Sequence, residues 1–278
     1  MARVILCTTK MARKPFCFPV TGQNIYSYEE LCYYIQQYTA LFQEDFVSKE
    51  LIEWLLEEIE AKELADHLVR LKRENVLSRV YVLAILEAYP YFSAKSIKEI
   101  VEKLDGLRLK ETWLQGKEYA DTLYRAGCPK QARKIYDRLV EELPKTEENE
   151  KVRGAVWHGR GSCFAKNMQH KEASECFQKA FELAKEETSR KSYFMSLYLL
   201  GKKEVIQEEM ETAGLDKKQY DDFIREMEEK EANLEYNQDY QTLQKALRLK
   251  EEGYEKQYQK KRKQLLTKWK NDYRDEDR

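Results

Sequence analysis

Apolar side chains recur along most of this chain at spacings of three and four, the ~3.6-residue period of helices that turn one face toward a core. Leu31, Ile35, Tyr38, Leu41 and Phe42 form one such stripe. Ser27-Tyr28-Glu29-Glu30 precedes it as a capping box, with Ser27 accepting from the Glu30 amide while the Glu30 carboxylate reaches back. Ser48 opens a second helix with Leu51, Leu55 and Ile59 inward, and Leu64, Leu68 and Leu71 mark a third. Val76 to Ala88 is apolar nearly all round (Val80, Val82, Leu83, Ile85, Leu86), the pattern of a central buried helix, although a buried strand shares it. Tyr89-Pro90 ends that element, because the residue before proline disfavours helical backbone angles. Ser93 or Ser96 caps a further helix with Ile97, Ile100, Val101 and Leu104 inward, which Gly106 is expected to stop.

Residues 1–26 break the helical period. Arg3–Thr8 and Pro15–Val20 are short runs punctuated by Pro15, Pro19 and Gly22, which predicts a small β-hairpin or a pair of extended segments. Elsewhere punctuation is scarce: 278 residues hold 10 Gly and 5 Pro, while 36% are charged. A sheet-rich chain would need more turn residues, so the class is all-α.

The middle third contains a repeated pattern. Trp157, Gly161 and Phe164, followed by Ala173, Phe177 and Ala180, reproduce in spacing W-x2-L-G-x2-Y and then A-x3-F-x2-A. This resembles the tetratricopeptide repeat, with Gly154 as position 1 and with departures at Arg160, where Leu is usual, and Lys185, where Pro is usual. A second copy counted from Trp113 places Ala120, Leu123, Gly127, Ala132, Tyr136, Leu139 and Pro144 at matching positions, with Gly116 as its departure. Gly127 and Pro144 supply a turn and a terminator. The copies are 41 residues apart, Trp113 to Gly154, rather than ~34, and the insert Lys145–Lys151 is expected to lengthen the second helix or its connection. Arg190–Ala213 reads as a degenerate third hairpin, with Tyr193, Leu197, Leu200 and Gly201 in its first helix.

The resemblance implies a fold and a function. Small residues at positions 8 and 20 would let paired helices approach, and aromatics would fill the grooves between hairpins. The resemblance makes 106–215 tetratricopeptide-like hairpins (113–146, 154–187 and 190–213). Outside the repeat, the helical period itself reads 1–105 as a mostly helical bundle and 216–278 as a charged C-terminal helix or coiled coil. Such a chain is a non-catalytic, protein-binding scaffold or adaptor. Partner contacts map to first-helix groove positions, here Lys117, Asp121 and Tyr124 in one hairpin and Ala155, His158, Ser162 and Ala165 in the other. Lys117 stands where a lysine could clamp a chaperone's C-terminal carboxylate. Asp121 and Gly159 replace the asparagines such a clamp needs, which argues against a chaperone tail as ligand. The chain's general texture resembles that of bacterial repeat proteins.

From Asp216 onward the pattern again reads as helix, weakly interrupted at Gly253. Residues 221–239 hold eight acids and two bases, whereas 256–270 hold seven bases and no acid. Tyr236, Tyr240, Leu243, Leu247 and Tyr254 follow a heptad, after which Tyr254, Tyr258, Leu265 and Trp269 continue at an 11-residue period, a switch that alters supercoiling without breaking the stripe. Three readings stay open: a capping helix with solvated charges, a partner-binding or self-associating coiled coil, and a nucleic-acid or anionic-surface contact. That last contact would use Lys260, Lys261, Arg262, Lys263 and Trp269.

Charge and chemistry narrow the classes further. A net charge of −1 gives no global pull toward nucleic acid or anionic membrane. No apolar run approaches the ~20 residues of a membrane helix, and Val4-Ile5-Leu6 is too short for a signal-peptide core, so a cytoplasmic chain is expected. Six cysteines without a C-x-x-C pair fit reduced thiols. The three histidines (His67, His158, His170) match no zinc spacing, and neither a phosphate-binding glycine loop nor a nucleophile motif is present. No metal, no cofactor and no enzymatic activity are expected. Cys7 and Cys17, near Arg3, Lys10, Arg13 and Lys14, are the one place where a thiol could be activated.

Overall fold

A computed structural model describes residues 9–43, 46–212, 214 and 216–276. Among them are fourteen α-helices and a single two-stranded sheet, an all-α fold with a short N-terminal hairpin. The chain divides into two compact units, residues 1–144 and 145–278. That division falls inside the 106–215 stretch grouped together above.

The first unit begins with a strap. Within it, β1 (Phe16–Cys17) and β2 (Asn24–Ile25) pair antiparallel, Phe16 opposite Ile25. The predicted run Arg3–Thr8, with Cys7, lies outside the described residues. Five helices make the bundle: α1 (Tyr28–Gln37), α2 (Lys49–Glu57), α3 (Lys62–Glu74), α4 (Ser78–Glu87) and α5 (Ala94–Arg108). The apolar run at 76–88 is therefore a helix; Tyr81, Val82, Ile85 and Leu86 are buried, and Val80, Leu83 and Ala84 pack on the core's margin. Aromatic faces from the strap and the bundle bury one another. Phe18 stacks on Tyr34 with ring centroids 4.0 Å apart, and Phe42 meets Phe18, Tyr34 and Phe46 edge-on.

The caps follow the sequence with one change. Ser27, Ser48 and Ser93 accept from Glu30, Leu51 and Ser96 amides. Glu30, however, accepts from the Tyr26 amide at 2.6 Å, so only half of the expected capping box forms. Gly106 does not stop its helix either: α5 (Ala94–Arg108) runs through it, because buried Leu104 and Leu107 hold the last turn on the core. A single glycine costs a helix only ~1 kcal/mol, which such packing outweighs.

The unit ends in a helical hairpin, α6 (Thr112–Arg125) and α7 (Pro129–Glu142), with Ala120, Leu123, Ala132, Tyr136 and Leu139 buried between them. The second unit repeats the device. α8 (Glu150–Lys166) and α9 (His170–Ala184) form one hairpin, and α10 (Glu187–Leu199) and α11 (Lys203–Thr212) the next, followed by α12 (Lys217–Ala232). The insert at 145–151 becomes a short turn and the first residues of α8. The C-terminal stretch, expected as one long helix, is instead three. After α12, α13 (Gln238–Glu251) and α14 (Glu255–Glu276) pack antiparallel about Gly253, and Lys268 reaches back to Asp239 at 2.6 Å.

One backbone closure recurs at four of these turns. Gly127, Met168, Gly201 and Gly253 all have positive φ (83°, 59°, 72° and 81°). Beside each, the next amide bonds the carbonyl five residues back: Cys128 to Leu123, Gln169 to Phe164, Lys202 to Leu197 and Tyr254 to Leu249, at 2.8–3.0 Å. The left-handed residue also bonds three back in every case. These paired bonds satisfy carbonyls that a helix end leaves open.

Candidate partner-binding faces

Hairpin geometry rests on the small residues. A methyl group added at Gly161 would lie 2.9 Å from the Phe177 ring and 3.1 Å from the Cys176 Cβ. At Gly154 it would meet the Ala184 Cβ at 2.5 Å and the Ala180 carbonyl oxygen at 3.0 Å. Gly154, counted above only as the start of the repeat, is thus the tighter crossing point; its spacing of seven from Gly161 was the available signal. Ala120, Ala132, Ala173 and Ala180 are each fully buried. Phe164, Phe177, Tyr193, Phe194 and Leu197 carry the core from α8 and α9 into α10, with Trp157 at its edge. Arg160, the departure from the usual leucine, lays its guanidinium over Trp157 and Phe164, 5.1 and 5.2 Å from their ring centres. It covers apolar surface as leucine would while keeping its charge at the boundary.

The predicted groove residues fall into two groups, one in each unit. On α6, Lys117 and Asp121 form an ion pair at 2.7 Å, both less than half exposed. The Tyr136 hydroxyl of α7 donates to the other Asp121 oxygen. Tyr124, one turn on from Asp121, is half-buried. On α8, His158 Nδ1 lies 3.0 Å from the Ser189 hydroxyl of α10, and its ring packs 5.1 Å from that of Phe177. Ser162 donates to the His158 carbonyl at 3.0 Å. Ala155 is exposed and Ala165 half-buried. These side chains present polar edges while joining neighbouring helices.

The first unit also has an open cleft of about 710 Å3, lined by Leu41, Phe46, Arg108, Tyr119, Ile135 and Arg138 among others. Arg138 lies 3.7 Å from Glu142. At the strap, Glu58 accepts from the Arg13 and Lys14 amides at 2.9 and 3.2 Å. These backbone bonds, that from Lys14 foremost, hold its carboxyl below the usual range. Buried Glu29 accepts from the Thr9 amide and hydroxyl at 2.9 and 2.8 Å. Burial also pushes the Cys32 thiol up to about 12 and raises the Tyr28 hydroxyl well above its ordinary value. Both groups are therefore neutral packing elements. Cys17 is exposed. Among the described residues no three His, Cys, Asp or Glu side chains stand close enough to hold a metal ion.

On the tail, Lys260, Arg262 and Lys263 are exposed, Lys261 is half-buried and Trp269 is 36% exposed. Sequence reasoning missed a cleft of about 480 Å3 along α13, lined by Tyr240, Gln241, Gln244, Lys245 and Arg248. Those residues recur at spacings of one, three and four, so the helical period could have found them. No described helix is long and apolar enough to cross a membrane. The chain has no match among models of protein families, curated proteins or solved structures.

Proposed function

We propose that the chain is a non-catalytic protein-binding scaffold whose helical hairpins are of the tetratricopeptide type. What carries the reading is the close approach at Gly154 and Gly161. Glycine stands where a Cβ would clash with the facing helix, and the aromatic positions of the same pattern fill the core beside it. A hairpin built this way uses its signature residues for packing and leaves its outer faces to partners. The α6 face of Lys117, Asp121 and Tyr124 and the α8 face of His158 and Ser162 are the contact sets assigned here.

Their internal bonds shape what they can take. Lys117 and Asp121 cancel each other's charge, so the α6 face favours a polar, uncharged peptide segment over a terminal carboxylate. A chaperone tail therefore remains disfavoured, and sedimentation reads whether the C-terminal helices self-associate. Cytoplasmic location fits this scaffold.

The test is affinity capture with the full chain as bait, repeated with Lys117→Ala/Tyr124→Ala and with His158→Ala. Loss of a defined set of partners from one variant, with helical content unchanged, supports the assignment. Recovery of the same proteins at the same yield from all three baits removes it.

A further inference from the structure

Over residues 238–276 the antiparallel hairpin α13–α14 carries eleven bases against seven acids, of which ten bases and four acids lie before residue 271, in a chain whose net charge is −1. The bases are ordered. Lys256, Lys260, Lys263 and Lys270 recur at spacings of four, three and seven and are all exposed. They line one face of α14 over about 21 Å. A second row, Arg262, Leu266 and Trp269, lies about 110° round the helix from the first, with Leu266 at 40% and Trp269 at 36% exposure. Leu265 turns inward and is buried, and Lys268 is held by Asp239. On α13, the cleft of Tyr240, Gln241, Gln244, Lys245 and Arg248 adds an aromatic face, two carboxamides and two more bases, with no acid among its described lining residues.

We propose that the α13–α14 hairpin binds single-stranded nucleic acid, its lysine row tracking the phosphates while Trp269 and the Tyr240 cleft receive bases. Charge complementarity selects a polyanion, and the aromatic and carboxamide groups select among polyanions. Every base has a face on which an aromatic ring can stack, and carboxamides match donor and acceptor edges. A membrane surface fits less well, because an interfacial helix needs a broad apolar face. Among its described large apolar side chains, α14 turns only Leu266 and Trp269 outward. An acidic protein surface would use the lysines but leave the ring and carboxamides without a role. This assignment stands independently of the hairpin scaffold in residues 112–212.

Fluorescence anisotropy of the full chain with labelled oligouridylate and oligothymidylate of about 20 nucleotides tests it, with duplex of equal length, polyglutamate and phosphatidylserine vesicles as competitors. Four phosphate contacts on a single strand give a log–log salt slope of about −3, or about 50-fold weaker binding from ~50 to ~200 mM salt. Lys256→Gln/Lys260→Gln/Lys263→Gln/Lys270→Gln, whose exposed positions spare the fold, should flatten the slope and abolish binding. Trp269→Ala should lower affinity about 5- to 150-fold and leave the slope unchanged. The tighter of the two strands identifies the sugar. Absence of binding at ~50 mM salt, a condition that favours phosphate contacts, overturns the proposal. So do equal affinity in the quadruple variant, or competition by polyglutamate, duplex or vesicles as strong as by unlabelled single strand.

Discussion

Replacing Gly154 by alanine, alongside the same replacement at Gly106, separates packing from helix propensity. Both glycines lie inside helices, so alanine gains ~1 kcal/mol of propensity at either place. At Gly106 a Cβ would have nothing within 4 Å, and the gain stands unopposed. At Gly154 the new Cβ would lie 2.5 Å from the Ala184 Cβ and 3.0 Å from the Ala180 carbonyl oxygen. Carbon atoms prefer ~3.5–4.0 Å, so α8 and α9 must part by about 1 Å or more. Neither obstacle is the end of a flexible side chain, which puts the overpacking cost at the upper end of ~1–3 kcal/mol. The net expectation is a gain of ~1 kcal/mol for Gly106→Ala and a loss of ~2 kcal/mol for Gly154→Ala. Urea denaturation followed by far-UV circular dichroism reads the sum, and amide hydrogen exchange in α5 and α9 reads each site locally. A Gly154→Ala chain as stable as the parent would refute the close-approach argument, and with it the ground for the repeat assignment.

Met168 is 78% exposed at φ 59°, so Met168→Gly should raise stability by ~1 kcal/mol by removing left-handed strain; an unchanged denaturation midpoint would contradict this. Tyr28→Phe should cost ~1–3 kcal/mol, because the Ile85 carbonyl loses a donor at 2.5 Å and the Tyr89 amide an acceptor at 3.2 Å, both measurable by denaturation. Thiol-reagent titration of the native chain should modify Cys17 quickly, while buried Cys32, with its raised pKa of about 12, reacts only as the protein unfolds. Glu58 has a folded pKa below its unfolded one. Its contribution is therefore present above the unfolded value and lost as pH falls through the folded value. Acid should accordingly lower the protection of the Arg13 and Lys14 amides, each taken against the intrinsic exchange rate at that pH, to the level of a Glu58→Ala chain, which should be unprotected there at every pH.

The helices of both units were legible because burial repeats with the helical period: Leu51, Leu55, Leu64 and Leu68 are inward as their spacing requires. The serine caps were legible for the same local reason. Gly106 and the tail were not, since a glycine inside a helix and a glycine at its end look alike until the packing around them is known. Gly253 ends its helix with φ 81°, and Gly106 does not. The proposed partner faces could be read only as positions on a helix. Their internal bonds, Asp121 to Tyr136 and His158 to Ser189, cross between helices and leave no trace in spacing.

The four recurring turns have a consequence for how such a chain can vary. Each is closed by main-chain atoms, and the one demand on sequence is a residue that tolerates positive φ. Met168 meets that demand in the company of three glycines, so even this position admits exchange. A hairpin shut by its backbone leaves its outward side chains free to drift while the register of the helices stays fixed. The same frame can then carry a neutral ion-paired face on α6, an aromatic and guanidinium face on α8 and a lysine row on α14, each altered without reopening the others.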